Sequence, residues 1–326
     1  MLFQNPNSKR QNPLRKIYDN PKFRNVLKHR DDVPDFPYIV DVEITNWCNL
    51  QCIFCGQQAM TREKGFMSMK LLSKLADECA KHKTPMRFIG WGEPFMHPKI
   101  MEFCKYAKSK GVVIHISNNG LAIKPRQIQE LVDLQVDSII FSFQGATKEQ
   151  YQIMRNNTRY DDLKKNILKL VELRGDKEKP FIHITTTITN ETKEEVDSFV
   201  KYWGNIVDYV GVGITNLSYI PIESIKSAAV VKKLESLKPQ ETIKKCYIPC
   251  VEVYQKLTVN WDGKVSCCCN DYDNLLNVGD LNKSSISDIW NNSVELKCFR
   301  GLLDRNMHAS LTACRNCYRP YGKHGF

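Results

Sequence analysis

ITNWCNLQCIFC, residues 44–55, places three cysteines, Cys48, Cys52 and Cys55, directly after a predicted β-strand. Three thiolates at the spacing C-x3-C-x2-C can bind three of the four irons of a [4Fe–4S] cluster and leave the fourth iron open. A structural zinc site takes four protein ligands, usually from paired C-x2-C units, and no fourth ligand lies nearby. The spacing therefore favours an iron–sulfur cluster with one open iron over a zinc site.

The sequence around this motif alternates between strands and helices. The predicted strands are 38–44, 87–89, 112–117, 138–143, 181–188 and 209–214, and the predicted helices are 68–82, 98–110, 125–135, 147–155, 160–174 and 192–203. Six strand–helix units predict an α/β fold with a parallel sheet. A closed eight-stranded barrel typically takes about 250 residues, so a partial (β/α)6 TIM-like barrel fits the chain better, with the loops of one rim carrying the chemistry.

The chain divides into four predicted segments. Residues 1–36 form an extended or partly helical N-terminal extension, 37–220 the barrel, 221–245 a helical connector and 246–326 a small cysteine-rich module. Within this module, QKLTVNWDGKVSCCC predicts a β-hairpin, because two alternating stretches flank a Trp-Asp-Gly turn signal.

A second group of cysteines lies in this C-terminal module. The predicted hairpin brings Cys250 near Cys268, and the C-x2-C pair of Cys314 and Cys317 supplies two further thiols. Four thiolates from a hairpin and a loop suit zinc or an iron–sulfur cluster equally well. Spacing alone leaves both open.

Cysteine content bears on the compartment. Thirteen cysteines in 326 residues indicate metal ligation more than disulfide bonding, because an odd number cannot pair fully. The N-terminus has no apolar secretory core and no apolar run is long enough to span a bilayer, so we expect a cytoplasmic protein without membrane association. Cys79 and Cys104 fall in helical patterns and are expected to pack in the core.

The formal net charge of +11 is spread along the chain without a Lys/Arg block. A nucleic-acid partner is therefore not expected. A basic surface of this kind can steer an acidic electron-donor protein, such as a flavodoxin or ferredoxin, towards the chain.

The motif at 44–55 resembles the signature of the radical S-adenosylmethionine (SAM) superfamily, including the aromatic residue before the last cysteine. GWGEP at 90–94 is similar to the GGEP stretch that holds the methionine amino group of SAM, with a tryptophan where the first glycine usually lies, and SNNG at 117–120 is similar to the family's TNG turn. A serine in FSFQGA and an arginine in YQIMR match two further SAM contacts. The resemblance, which covers about 38–220, implies SAM contacts at Phe54, Trp91, Gly92, Glu93, Pro94, Ser117, Asn118, Asn119, Ser142 and Arg155.

The resemblance also implies the chemistry. The open iron would bind the amino and carboxylate groups of SAM, and one electron from the cluster would break a carbon–sulfur bond. The resulting 5′-deoxyadenosyl radical would remove a hydrogen atom from the substrate.

The C-terminal module resembles the SPASM/twitch extension of this superfamily, through C-x12-G-x4-C, the later DIWNN and C-x2-C. This resemblance implies one auxiliary [4Fe–4S] cluster, ligated by Cys250, Cys268, Cys314 and Cys317. A shift of one residue in the register of the strand would make Cys267 or Cys269 the ligand instead of the middle cysteine of the CCC run. The remaining candidate ligands are Cys246 and Cys298.

An auxiliary cluster without an open iron is suited to accept an electron from a substrate radical, so we expect a net oxidation. The favoured function is dehydrogenation of a small sugar-like molecule. The alternatives are a peptide- or protein-modifying maturase, forming thioethers or formylglycine, and a non-enzymatic iron–sulfur electron carrier. No catalytic acid or base is assigned, since the polar rim residues are expected to be hydrogen-bonded barrel residues: His115, Gln144, His183, Thr185, Thr187 and Asn216.

Overall fold

One continuous sheet organises the chain. The computed structural model describes residues 2–189, 191–215, 228–237, 249–315 and 317. In this part of the chain the strands are β1 (Leu2–Gln4), β2 (Ile39–Val42), β3 (Met86–Phe88), β4 (Ile114–Asn118), β5 (Ser138–Ser142), β6 (Phe181–Ile188), β7 (Tyr209–Ile214), β8 (Lys256–Val259), β9 (Lys264–Ser266) and β10 (Asn277–Asp280). Their order across the sheet is β1-β7-β6-β5-β4-β3-β2-β8-β9-β10.

The six central strands, β2 to β7, pair in parallel and in chain order. They correspond to the six predicted strands, and their ends shift by no more than two or three residues, as is usual for element boundaries. Because β2 pairs with β8 and β7 with β1, the two ends of the parallel sheet do not meet. The predicted partial (β/α)6 barrel is confirmed.

Helices connect the strands at the predicted positions. The described helices are α1 (Arg15–Tyr18), α2 (Pro21–Arg24), α3 (Met69–Lys81), α4 (Ile100–Ser109), α5 (Pro125–Asp133), α6 (Lys148–Arg155), α7 (Tyr160–Arg174), α8 (Lys193–Gly204), α9 (Ala228–Leu237), α10 (Glu252–Gln255), α11 (Ile286–Asn292) and α12 (Val294–Asp304). The start of α8 shows how sequence sets these bounds. The Thr192 hydroxyl oxygen accepts the backbone N–H of Glu195, and the Glu195 carboxylate accepts the backbone N–H of Thr192. No helix of the described residues combines the length and apolarity needed to cross a bilayer.

The central strands separate an apolar layer from a polar barrel interior. In β4, Ile114 and Ile116 are completely buried in the hydrophobic core, while His115 and Ser117 face the other way. Inside the barrel, Arg87 donates two bonds to the buried Asp41 carboxylate, at 2.5 and 2.7 Å. Cys79 on α3 and Cys104 on α4 are fully buried in the apolar layer, as expected for packing residues.

The ends of the sheet depart from the sequence prediction. The hairpin of β8 and β9 forms as predicted, with Gly263 at φ +91° in its turn. However, β8 also continues the barrel sheet by pairing in parallel with β2, and β1 occupies the opposite edge by pairing antiparallel with β7. The N-terminal segment is therefore partly a strand, because the open edge of β7 offers it backbone partners. Of the predicted connector, α9 is described, whereas Asn216 and Cys246 lie outside the described residues.

Candidate active site

A cleft of about 140 Å³ opens at the C-terminal ends of β2 to β5. Its lining includes all three cysteines of the motif and nine of the ten predicted SAM-contacting residues: Cys48, Cys52, Cys55, Phe54, Trp91, Gly92, Glu93, Ser117, Asn118, Asn119, Ser142 and Arg155. Apart from Arg155, which lies on α6, these residues come from four successive strand ends, the position at which barrels of this kind carry their chemistry. Pro94 is absent from the lining and is itself buried at the start of the turn Pro94–Met96.

The loop that carries the three cysteines is held by its own side chains. Asn46 donates to the Glu63 carbonyl at 2.8 Å, and Gln57 Nε2 donates to the carbonyls of Asn46 and Trp91, at 2.8 and 2.7 Å. Burial raises the pKa of the Cys48 thiol to about 12 and that of Cys55 to about 11. Thiolates in such a place need a strong positive partner, and the irons of a cluster supply one.

Arg155, the last residue of α6, reaches the cleft from one side. Its Nη1 donates to Cys52 Sγ at 3.5 Å and its Nη2 to the Ser142 carbonyl at 2.5 Å. Its Nε is buried and has no hydrogen-bond partner among the described residues. A buried guanidinium with an unused donor fits a ligand carboxylate, because an unsatisfied buried N–H is costly.

Glu93 stands on the opposite side. One oxygen accepts the Phe95 N–H at 3.0 Å and the other accepts the Asn119 N–H at 2.6 Å. Burial raises the pKa of Glu93 to about 7, against the opposing effects of these two N–H donors and of the Arg155 charge. The next residue along the rim, Asn119, donates from Nδ2 to Asn49 at 2.8 Å and lies 3.8 Å from Cys48 Sγ.

The second glycine of the GWGEP stretch, Gly92, lies where no side chain would fit. A Cβ at Gly92 would lie 2.2 Å from the Thr45 carbonyl oxygen. The strand-end loops after β2 and β3 thus meet backbone to backbone. This contact fixes Glu93, whose N–H donates to the Trp47 carbonyl at 2.8 Å.

The lining also contains residues that the sequence analysis did not single out: Leu50, Gln51, Gln57, Gln58, Ile89 and Gly90. The pair of glutamines that follows Cys55 and Gly56 is the one signal that was available. Gln58 Nε2 donates to the Cys52 carbonyl at 2.5 Å, so both glutamines hold the loop that carries the thiols.

The C-terminal module brings several thiols within electrostatic range of one another. Burial raises the pKa values of Cys267, Cys268 and Cys314, and the charge of Cys250 raises each of the three further. Cys317 follows closely, because its N–H donates to the Cys314 carbonyl at 3.0 Å. The four predicted auxiliary ligands therefore lie in one region, together with Cys267.

The three consecutive cysteines differ in their surroundings. Cys267 is buried in the apolar core, the Asn270 N–H donates to Cys268 Sγ at 3.4 Å, and the Cys269 thiol donates to Glu252 at 3.8 Å. Cys298, a spare candidate, lies exposed on α12. The twelve cysteines that the structure describes are all free of disulfides.

The polar residues predicted at the barrel rim are largely satisfied by internal bonds. His115 shares a hydrogen bond with Ser138 Oγ at 2.6 Å, and Gln144 bonds to Thr187 and Thr215. His183 Nε2 has no hydrogen-bond partner among the described residues. Burial lowers the pKa of both histidines to about 3, so their imidazoles are neutral at physiological pH. Thr185 contributes its carbonyl, which accepts the Phe143 N–H at 2.7 Å.

Two family models match the chain. The Radical SAM superfamily matches residues 42–202, and the iron–sulfur cluster-binding domain SPASM matches residues 250–318. The second match decides between zinc and an iron–sulfur cluster in the C-terminal module in favour of the cluster.

Individual proteins are similar over different lengths. A tungsten-containing aldehyde ferredoxin oxidoreductase cofactor-modifying protein of Pyrococcus furiosus is 26% identical over 308 residues, covering 84% of this chain and 86% of that protein. The mycofactocin maturase MftC of Mycobacterium tuberculosis is 29% identical over 127 residues, 39% of this chain and about a third (32%) of that protein.

A solved structure with the same fold is SuiB of Streptococcus suis bound to S-adenosylmethionine. It superposes with a TM-score of 0.67 at 16% identity, covering 95% of this chain and 79% of that chain. SuiB has also been solved bound to its precursor peptide SuiA. From these matches and from the open parallel barrel, the chain belongs to the radical SAM superfamily: it is an enzyme with a SAM-binding [4Fe–4S] cluster and a C-terminal SPASM domain for auxiliary iron–sulfur binding.

Proposed function

We propose that Cys48, Cys52 and Cys55 hold the cluster at which SAM is cleaved, and that the radical formed modifies a peptide or protein. The observation that carries the first half is the convergence of these three thiols with Arg155 and Glu93 in one cleft. When bound, the cluster supplies one electron to SAM and so generates the 5′-deoxyadenosyl radical.

The chain's own residues bind and orient SAM. Arg155 presents its unused Nε to the methionine carboxylate, and Glu93 accepts hydrogen bonds from the methionine amino group. Ser117 and Ser142, on the inward faces of β4 and β5, lie beside the rest of the nucleoside. Fixing both ends of SAM in this way orients the bond to be broken, which is the main contribution that a protein makes to such chemistry.

Variants of the motif test the cluster site. In anaerobically reconstituted protein, Cys52→Ala is expected to lose about half of the bound iron and nearly all formation of 5′-deoxyadenosine from SAM. Cys104→Ala is the matched control, since this thiol is buried on α4 away from the cleft. SAM cleavage that persisted in the Cys48, Cys52 and Cys55 triple alanine variant would refute the assignment.

The second half of the proposal concerns the substrate. The relatives named above are a cofactor-modifying protein, a maturase and a peptide-binding enzyme. The maturase and the peptide complex support the peptide or protein alternative over dehydrogenation of a sugar-like molecule, whereas the name of the cofactor-modifying protein supports neither. Both reactions, peptide modification and dehydrogenation of a sugar-like molecule, are net oxidations. In either case the electron acceptor would be the auxiliary cluster, ligated by Cys250, Cys268, Cys314 and Cys317.

Mass spectrometry separates the two substrate classes. Reconstituted enzyme, SAM and reductant are incubated with peptides encoded by the genes beside this one and, in parallel, with a pool of amino sugars. We expect a peptide to lose two hydrogen atoms or to gain a cross-link, with matching formation of 5′-deoxyadenosine. Oxidation of an amino sugar with every peptide unchanged would overturn the proposed substrate class.

A further inference from the structure

The segment that follows the third motif cysteine, residues 56–65, is held from the C-terminal module. Asp273 accepts the backbone N–H groups of Thr61 and Arg62, at 2.7 and 3.3 Å, and the Thr61 hydroxyl at 3.1 Å. The carbonyl of Tyr272 accepts Nε of Arg62 at 2.6 Å. One carboxylate of the module therefore satisfies two consecutive backbone donors of this segment.

The same segment forms part of the cleft. Gln57 lines the cleft, and its Nε2 donates to the carbonyls of Asn46 and Trp91, at 2.8 and 2.7 Å. Gly56 packs against the ring of Trp91, which is another lining residue. A displacement of the 56–65 segment would therefore move groups that line the cleft.

Asp273 belongs to the loop between β9 and β10, residues 267–276, which also carries the predicted auxiliary ligand Cys268. The backbone between the two residues is tied to this cysteine. The Asn270 N–H donates to Cys268 Sγ at 3.4 Å, and the Asp271 N–H donates to the Cys268 carbonyl at 3.3 Å. The position of the Cys268 thiol therefore bears on the backbone that leads to Asp273.

The carboxylate of Asp271 makes the 267–276 loop compact. Asp271 is 4% exposed, and its carboxylate accepts the N–H groups of Leu275 and Leu276, at 2.8 and 2.7 Å, and the hydroxyl of Ser266 at 2.8 Å. Hydrogen bonds to a charged acceptor are stronger than those between neutral groups, so these three close the loop firmly on itself. The loop is therefore expected to move as one unit.

We propose that Asp273 is a positioning residue for SAM, through which ligation of the auxiliary cluster tightens SAM binding in the cleft. Ligation at Cys268 fixes the 267–276 loop, because metal binding and the folding of its ligand segments are coupled. The fixed loop holds the 56–65 segment through Asp273, and SAM then binds a cleft that is already ordered. This inference rests on the proposed function of the cleft, and it adds a dependence of one site on the other.

The test measures SAM affinity with and without the auxiliary cluster. Cys250→Ala and Cys314→Ala each remove a predicted auxiliary ligand that lies outside both segments. In anaerobically reconstituted, oxidised protein we expect each variant to keep about four of about eight irons and to raise the dissociation constant of SAM about fivefold, the lower end of typical coupling between sites. Asp273→Ala is expected to keep about eight irons and to show the same rise of about fivefold.

Two variants serve as controls. In Asp273→Asn the side-chain carbonyl oxygen can still accept the two backbone N–H groups, so SAM affinity should return close to that of wild type. Asp280→Ala removes a carboxylate that bonds within the module, to the Asn282 N–H at 2.9 Å and the Lys264 ammonium at 3.2 Å. This variant should leave SAM affinity unchanged.

A double variant tests whether the two effects share one route. Asp273→Ala combined with Cys314→Ala should raise the dissociation constant about fivefold and not about 25-fold, because the second change acts on a link that is already broken. Should both cysteine variants fail to fold, iron release to a chelator tests the same link in the reverse direction. SAM should slow the release of all irons in wild type, but only of the catalytic half in Asp273→Ala.

The proposal would be overturned by unchanged SAM affinity in Asp273→Ala, by multiplying effects in the double variant, or by an equal loss in Asp273→Asn or Asp280→Ala. Equal protection of iron by SAM in wild type and Asp273→Ala would also overturn it. So would a loss of iron in Asp273→Ala, because Asp273 would then support the catalytic cluster itself. Wild-type protein that holds its iron and binds no SAM would instead refute the proposed function.

Discussion

The indole ring of Trp91 meets the phenol ring of Tyr272 edge to face, with 5.5 Å between their centroids and 82° between their planes. Tyr272 belongs to the loop between β9 and β10, so this contact joins the C-terminal module to the cleft at the ends of β2 to β5. Both rings also pack against Gly56, the residue directly after the third motif cysteine. A Cβ on Gly56 would lie 3.0 Å from each ring. The tryptophan that replaces the family's usual glycine is therefore accommodated by a glycine opposite it, and it covers one side of the cluster loop.

Removing this cover should expose the cluster to oxygen. We expect Tyr272→Ala to bind the same amount of iron under anaerobic conditions but to lose its visible charge-transfer absorbance several times faster than wild type in air, because the cavity left by an aromatic ring admits solvent. Tyr272→Phe keeps the ring and should decay at the wild-type rate. Equal decay in all three proteins would contradict a shielding role.

A buried ion pair fixes the same junction. Arg62 donates both terminal nitrogens to Glu43, and its Nε donates to the Tyr272 carbonyl at 2.6 Å. We expect Arg62→Met to lower the free energy of unfolding by about 3 kcal/mol, because it leaves a buried carboxylate without its partner. The double variant Arg62→Met/Glu43→Gln should be less destabilised than the sum of the two single variants, as measured by denaturant unfolding of the cluster-free protein.

The pH dependence of that loss has a definite sign. Burial raises the pKa of Glu43 even with Arg62 present. Without the guanidinium the folded-state pKa rises further above the unfolded-state value of about 4.3, so the folded protein binds more protons than the unfolded one. Arg62→Met should therefore be closest to wild-type stability at low pH and should lose stability as the pH rises through the folded-state pKa. A loss independent of pH would contradict this account.

The sequence was most informative where local pattern and backbone rules agree. Regular alternation of apolar residues gave the six central strands and the helices between them, and the residues at successive strand ends converged in the cleft because parallel strands end at one edge. Pro94 does not line the cleft and is buried at the start of the turn Pro94–Met96, so its contact with SAM stays a prediction.

Contacts between distant segments carried no comparable sequence signal. Thr61 bonds to Asp273 and Trp261 Nε1 donates to the Glu63 carbonyl, across about 200 positions of sequence. Likewise, the pairing of β8 with β2 and of β1 with β7 depends on which sheet edges remain open after the barrel forms. A period-two pattern predicts a strand but not its neighbour.

Glu93 should make SAM binding sensitive to pH near neutrality. Its pKa of about 7 means that the carboxyl is largely protonated at about pH 6 and ionised at about pH 8. The ionised form keeps a further lone pair on each oxygen beside those that accept the Phe95 and Asn119 N–H groups, and these can accept bonds from the methionine amino group. The dissociation constant of SAM should therefore rise severalfold as the pH falls through 7. Glu93→Gln should bind SAM more weakly at high pH and lose this step, which equilibrium binding to the oxidised, reconstituted protein would measure. An unchanged step in Glu93→Gln would assign it to another group.

The three consecutive cysteines provide a test of the auxiliary ligand set. Cys268 Sγ accepts a backbone N–H from Asn270, an arrangement that stabilises a thiolate, whereas Cys267 is packed in the apolar core and Cys269 is turned towards Glu252. We therefore expect Cys268→Ala to fall from about eight to about four irons per chain, while Cys267→Ala and Cys269→Ala keep about eight. In Cys268→Ala, SAM cleavage driven by dithionite should continue while substrate oxidation stops, since the catalytic cluster is intact and the electron acceptor is lost. A loss of iron in Cys267→Ala with full retention in Cys268→Ala would assign the ligand to Cys267 instead. The charges of Cys314 and Cys250 both act on the Cys267 thiol.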